Sequence, residues 1–498
     1  MDQSIVSLSS LLLIGAVTGC SHAGNSVSHK KDINGRPNVL FILADDQRAD
    51  ALGCSGNSYI RTPNIDSLAS KGIRFRNAYV MGGHHGAISA PSRAMLLSGR
   101  HLFHVYDTLA GVTTMPMQFG ANGYETFGTG KWHNEKSAFE ASFKKAKNVF
   151  LGGMANHFQI PCRDMGADGK LKEPEFKGFS TDIFAASAVD FLNEYSNGEK
   201  ENPFFCYVAF TVPHDPYSPK PEFINSYPDQ SLPLPGNYMP LHPFQFDDLT
   251  VRDENLLAWP REPDKVRSLL SDYYALVTHL DSAVGTIIQT LKRNGLFENT
   301  IIVYAADNGL AAGSHGLLGK QNLYEHSMKV PIIITGPGVS KGVASDALVY
   351  LFDLFPTLAE ICNVPVPPDI DGKSLMPVIS GKSEGVRNSL FTAYRNTVRA
   401  VRNDTFKLIR YPERDYNQLF NLITDPLELN NLANSKDYRK KLDEMTELMK
   451  KWQTELNDKA PLEIENPLPL NYDYTKLKRV PDGWQPEYTL KKYFEESD

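Results

Sequence analysis

Three apolar runs, each hydrophobic at nearly every position and each closing on a polar cluster, constrain this chain more than any other feature. They are "NVLFILADD" (38–46), "PFFCYVAFTVPH" (203–214) and "TIIVYAADNG" (300–309). A strand buried on one face alternates apolar and polar residues, whereas a continuous run needs cover on both faces. A fourth run, "VPIIITGPG" (330–338), has the same character. Between the runs, "TPNIDSLASKG" predicts a short helix with Thr62 as cap, Pro63 at its first position and Gly72 past its end. A longer helical periodicity fills residues 264–295. Strands alternating with helices predict an α/β fold, a large and mostly parallel sheet between helix layers. Ligands of such sheets bind beyond the carboxyl ends of the strands. Asp45–Asp46, His214–Asp215 and Asp307–Asn308 are therefore expected to meet at one site.

The chain is long enough for two domains. After "DIDGKSLMPVISG" (369–381) the character changes. "NSLFTAYR", "TVRAVRN" and "FKLIRY" predict a small antiparallel sheet, and "DYRKKLDEMTELMKKWQTELND" an amphipathic helix. The expected division is 37–375 for a catalytic domain and 376–498 for a smaller α+β subdomain, whose tail after 459 wraps the surface. Residues 1–20 read as a signal peptide of lipoprotein type, ending in Val17-Thr18-Gly19-Cys20, with 21–36 a polar linker. That pattern predicts export to the periplasm or outer membrane of a Gram-negative bacterium, with the membrane touched only through a lipid on Cys20. Cys54, Cys162, Cys206 and Cys362 show no CxxC spacing, which argues against zinc; Cys206 reads as a core residue, and a disulfide among the other three is left open. A net charge of −7 and the lack of any nucleic-acid motif exclude nucleic acid as a partner, so an anionic substrate must be held by a local basic pocket.

Asp45, Asp46, Asp307 and Asn308 offer hard oxygen ligands from two strand ends, a set that suits Ca²⁺ and, less well, Mg²⁺. Adjacent carboxylates repel unless a cation sits between them. Arg93, Lys131 and Lys320 can hold the oxygens of an oxyanion, and His133 or His214 can give a proton to a leaving alcohol. Taken singly, Lys131 reads equally as a surface charge and His133 as a satisfied loop histidine.

At this point the motifs resemble a family. "SAPSRAMLLSGR" (89–100) is similar to the signature of formylglycine-dependent sulfatases, C/S-x-P-S-R followed by an apolar stretch and T/S-G-R. "RPNVLFILADDQRAD", "GYETFGTGKWH", "PHDPYSP" and "HGLLGKQNLYEHSMKVPIIITGPG" resemble further blocks in the same order, so the resemblance spans about residues 37–435. It implies an alkaline phosphatase-like fold and hydrolysis of a sulfate ester, with O-sulfated saccharides from host glycans as the expected substrates. Ser89, where many members carry cysteine, would be oxidised by a maturase to formylglycine. One hydroxyl of the aldehyde hydrate attacks sulfur and the other expels sulfate. The resemblance further implies that Asp45, Asp46, Ser89, Asp307 and Asn308 bind Ca²⁺. Arg93 would anchor the formylglycine beside Lys131 and His133, Lys320 would grip the sulfate, and His214 would protonate the leaving oxygen. His84, His85, His315 and His326 are candidate substrate contacts. Lys329 in "EHSMKVP" stands where arginine is commoner in the family. The alternatives are a phosphodiester or phosphonate monoester hydrolase of the same superfamily, and a glycan-binding lipoprotein with an unconverted Ser89.

Overall fold

The computed structural model describes residues 35–199, 201–246, 249–477 and 480–494, all within one compact unit. The signal peptide, Cys20 and all but the last two residues of the linker lie outside the described residues.

An eight-stranded sheet forms the centre. Its strands are β1 (Asn38–Asp45), β2 (Gly72–Tyr79), β3 (Glu125–Lys131), β4 (Lys145–Phe150), β5 (Phe204–Pro213), β6 (Thr300–Ala306), β7 (Ile332–Thr335) and β8 (Val343–Tyr350), in the order β8-β2-β7-β6-β1-β5-β3-β4. The three runs singled out above become β1, β5 and β6, adjacent at the centre, mutually parallel and buried at every position. Their carboxyl ends therefore lie side by side, which is why their polar clusters converge.

The fourth run departs from the parallel pattern: β7 is antiparallel to both β2 and β6. A parallel return needs a crossover of a dozen or more residues, usually helical. The connection from β6, residues 307–331, is long enough for a crossover, but its helix is only the four-residue Glu325–Met328, and the chain returns antiparallel.

Helix α1 (Pro63–Ser70) starts where expected but ends on Lys71, and Gly72 already opens β2. A Cβ on Gly72 would sit 2.0 Å from the Ile334 carbonyl oxygen, so the glycine serves strand approach and not helix termination. Helix α2 (Ser89–Ser98) starts two residues before Pro91. A proline is tolerated in a first turn, where amides lack intrahelical partners anyway. Helices α3 (Ser180–Asn197) and α4 (Pro263–Arg293) pack on each other and on β5.

The second sheet is antiparallel, with β9 (Leu390–Tyr394), β10 (Val398–Arg402), β11 (Phe406–Tyr411) and β12 (Tyr416–Asn421), and α5 (Arg439–Leu456) lies against β10 and β11. Its outer edge is closed by Gly82–Gly83, which pair in parallel with β9 only six residues before Ser89. The fold is thus the α/β architecture read from the sequence, a large and mostly parallel sheet with a smaller antiparallel one. The tail runs along this body: the Tyr472 hydroxyl donates to the His242 carbonyl, and Tyr493 is buried. Cys54, Cys162, Cys206 and Cys362 are all free thiols, and Cys206 is a core residue of β5. Among the described residues, no helix is long and apolar enough to cross a membrane.

Candidate active site

At the end of β1, Asp45 and Asp46 would face opposite ways if the strand continued. Asp46 instead takes a left-handed φ of 61°, a conformation Asp tolerates better than most residues. Both carboxylates thereby reach the same side, and each lies within 4.8 Å of a ring nitrogen of His214. From the end of β6, Asp307 Oδ1 accepts the Asp46 amide at 3.0 Å and its Oδ2 accepts Arg93 Nε at 2.8 Å. Asn308 Nδ2 donates to Ser89 Oγ at 3.1 Å, while Asn308 Oδ1 is buried without a hydrogen-bond partner.

Ser89 opens α2, is 1% exposed, and places Oγ 3.4 Å from Asp45 Oδ1. Arg93 follows one helical turn later on the same face. Its fully buried guanidinium also donates to the Lys131 carbonyl at 2.7 Å, and Nη2 lies 3.7 Å from Asp45 Oδ1. Ser92 Oγ donates to the Asp307 carbonyl at 2.6 Å, tying α2 to the strand end. Lys131, the last residue of β3, sets Nζ on Asp45 Oδ2. Lys320, from the loop between β6 and β7, donates to both Asp46 oxygens and to Ser89 Oγ.

Burial raises the proton affinity of all three acids, but the outcomes differ. At Asp45 the charges of Lys131, His214 and Arg93 outweigh burial and hold the carboxyl well below its usual range. At Asp46, burial together with Asp45 and Asp307 outweighs Lys320 and pushes it up, and burial pushes Asp307 up as well. Three crowded carboxylates with split affinities, an unpartnered amide oxygen and a hydroxyl form an all-oxygen donor set, which fits a hard divalent cation. The cationic side is equally defined. Burial opposes the charge on Lys320, yet Asp46 and Asp253 raise it above the ordinary lysine value. His133 is driven well down by burial and by Lys131 and Arg93, and its Nδ1 is buried without a partner. Burial pushes His214 down to about 4. Its Nδ1 lies 2.8 Å from the Asp215 carbonyl and 3.2 Å from Asp215 Oδ1, both acceptors, so Nδ1 carries the hydrogen and Nε2 faces the site, 3.6 Å from Asp46 Oδ2.

The structure brings together Asp45, Asp46, Ser89, Arg93, Lys131, His214, Asp307, Asn308 and Lys320. His133 lies close enough for the charges of Lys131 and Arg93 to act on it, while the further candidate histidines have partners elsewhere. His84 is exposed with Nε2 on the Leu102 carbonyl, and His85 is exposed and paired with Asp107 at 2.5 Å. His315 is buried, stacks on Tyr324, and bonds the Glu428 carbonyl through Nε2. His326 contacts His315 and Ser327. A separate trio, His101, His104 and Asp371, is a loop anchor in which Asp371 Oδ2 accepts both the His101 amide and His104 Nδ1 at 2.9 Å. Arg252, Gln485 and His157 escaped sequence reasoning; His157 Nε2 holds the His214 carbonyl at 2.9 Å.

The comparisons decide the family. The family model described as Sulfatase matches residues 37–364. The chain belongs to the sulfatase family. As a sulfatase it is a sulfuric ester hydrolase, and a second model, described as N-sulphoglucosamine sulphohydrolase, C-terminal, matches residues 313–455. Among curated relatives of this sulfatase, an N-acetylglucosamine-6-O-sulfatase from Bacteroides thetaiotaomicron is 29% identical over 92% of this chain and 93% of its own. A solved structure described as a complex with its substrate, D-glucosamine-2-N,6-O-disulfate, is 26% identical with a TM-score of 0.72, covering 86% of this chain and all of that one. The phosphonate monoester hydrolase of Agrobacterium radiobacter shares the fold at 20% identity and a TM-score of 0.66, covering 84% of this chain and 96% of that one.

Proposed function

We propose that this sulfatase removes sulfate from an O-sulfated saccharide, using a formylglycine made from Ser89 and a divalent cation, Ca²⁺ by its donor set, held by Asp45, Asp46, Asp307 and Asn308. The observation that carries the reading is the position of Ser89 Oγ, between the Asp45 carboxylate and the Asn308 amide on one side and the Lys320 ammonium on the other. A hydrated formylglycine at position 89 would supply two hydroxyls on one carbon, one a nucleophile for sulfur and the other a means of releasing the sulfate from the residue. The cation supplies positive charge beside the residue-89 oxygen.

This chain's own residues do the rest. Lys320 and Lys131 offer ammonium groups to the sulfate oxygens. Arg93 locks α2 against Asp307 and the Lys131 carbonyl, fixing residue 89 in place. His214, its Nδ1–H held by Asp215, directs Nε2 at the leaving oxygen and gives it a proton from the doubly protonated ring, a state that the negative charge of a bound sulfate ester favours. A saccharide substrate is supported by what the relatives named above act on. The pattern ending at Cys20 supports export and a lipid anchor.

The test is co-expression with a formylglycine-generating maturase, mass spectrometry of the peptide spanning Ser89, and sulfate release from a panel of defined sulfated mono- and disaccharides. The expected result is a peptide lighter by two hydrogens and release from at least one saccharide. An unconverted Ser89 in active protein overturns the mechanism, and release from aryl sulfates alone overturns the substrate class. Turnover of a phosphonate monoester in preference to every sulfated saccharide would overturn the substrate reading.

A further inference from the structure

The segment 480–494 lies beyond both family models, which end at residues 364 and 455, yet it reaches the neighbour of His214. Asp215 is a fully buried carboxylate whose Oδ1 accepts Arg252 Nη1 at 2.8 Å and whose Oδ2 accepts Arg252 Nη2 and Gln485 Nε2, the latter at 2.6 Å. Arg252 Nε in turn donates to Asp482 Oδ2 at 2.9 Å, and Nη1 also reaches Asp253 at 3.0 Å. The guanidinium is thus pinned by three acids, one of them from the tail. Further along, Lys492 Nζ and the Tyr493 hydroxyl both donate to Asp272 Oδ2, at 2.6 and 2.5 Å. Asp272 belongs to α4, and its neighbour Tyr273 donates to the Asp46 carbonyl at 2.8 Å. The tail is therefore fastened at two points to parts that brace the site.

From this geometry we infer that Asp482 and Gln485 are positioning residues for the hydrolysis, acting through Arg252 and Asp215 on the imidazole of His214. Asp215 has two lone-pair tasks. Its Oδ1 lies 3.2 Å from His214 Nδ1, and it is held in the rotamer that keeps it there by Arg252 and Gln485. With one side of that grip removed, the carboxylate is free to turn toward the remaining donor, and Nδ1–H keeps only the carbonyl. Nε2 then loses its fixed aim. A misplacement of about an ångström costs on the order of a hundredfold in well-oriented reactions, and partial loosening costs less.

The inference rests on the reading of His214 as proton donor to the leaving oxygen. Proton donation matters most for a poor leaving group such as a sugar hydroxyl and least for an activated phenol. The experiment compares full-length, matured wild type with Gln485→Ala, Asp482→Asn and His214→Ala on a sulfated saccharide and on an activated aryl sulfate, with thermal midpoints measured in parallel. Expected for the two tail variants is a fall of about tenfold in kcat on the saccharide, with KM and aryl sulfate turnover within about twofold of wild type. Equal losses on both substrates, or no loss on either, would overturn the inference. If His214→Ala shows the leaving-group dependence and the tail variants do not, the inference alone fails. If His214→Ala shows none, the donor reading fails and takes the inference with it.

Discussion

Lys320 Nζ stands 2.6 Å from both carboxylate oxygens of Asp46 and 3.1 Å from Ser89 Oγ. One ammonium thus joins a strand end, a helix start and the loop between β6 and β7. Lys320→Met keeps the volume and removes the charge. The expected result is a fall in kcat/KM of about 10²–10³, the usual effect of deleting one stabilising group from such a site. Steady-state sulfate release measures it, and a variant within tenfold of wild type would show that the sulfate is held elsewhere.

Arg93→Lys conserves charge and loses the fork. Arg93 donates through Nε to Asp307 and through Nη1 to the Lys131 carbonyl, and a single ammonium cannot reach both from one helical position. With the side chain fully buried, breaking half of this arrangement is expected to cost about 3 kcal/mol in chemical unfolding and to abolish measurable turnover.

Chelation should act on stability as well as on rate. Dialysis against a chelator is expected to stop sulfate release, and Ca²⁺ to restore it. Added Ca²⁺ is expected to stabilise the chelated protein by about 2.7 kcal/mol at about a hundredfold excess over Kd. Asn308→Ala removes the amide oxygen that has no protein partner together with the Nδ2 bond to Ser89 Oγ, so it should lower the chelated protein's unfolding midpoint and, beyond that, shrink the gain that Ca²⁺ brings. Equal stabilisation of both chains would place the cation elsewhere.

Acid should loosen the fold through His242. Burial pushes this imidazole down to about 3 against the opposing pull of the Phe244 carbonyl. In the unfolded chain it titrates near about 6.5. Between those values the unfolded chain takes up a proton that the folded one refuses. Its contribution is therefore complete above about 6.5 and falls by about 1.4 kcal/mol per pH unit as pH drops toward 3. Urea midpoints at pH 7 and pH 5 should separate further in wild type than in His242→Gln.

What could be read in advance follows from where the information lies. Continuous apolar runs identify strands covered on both faces, and adjacent parallel strands must end together, so Asp45, Asp46, His214, Asp307 and Asn308 were legible as one site. Strand direction is invisible to hydrophobic pattern, which is why β7 reversed. The histidines nearest Ser89 in sequence, His84 and His85, face outward, since chain proximity says nothing of which way a loop turns. Arg252 and Gln485 gave no local signal at all. Their partner Asp215 lies 37 and 270 residues away, and only the closed fold brings them to it.

The two-residue strand at Gly82–Gly83 carries a consequence in time. It hydrogen-bonds to β9, and a Cβ on Gly82 would lie 2.0 Å from the Ala393 carbonyl oxygen, so the fit between the segment leading to Ser89 and residues made some three hundred positions later is tight. In the folded chain Ser89 is 1% exposed and held by Asp45, Asn308 and Lys320. A maturase making the proposed conversion would therefore meet this side chain more freely before the fold closes than after it.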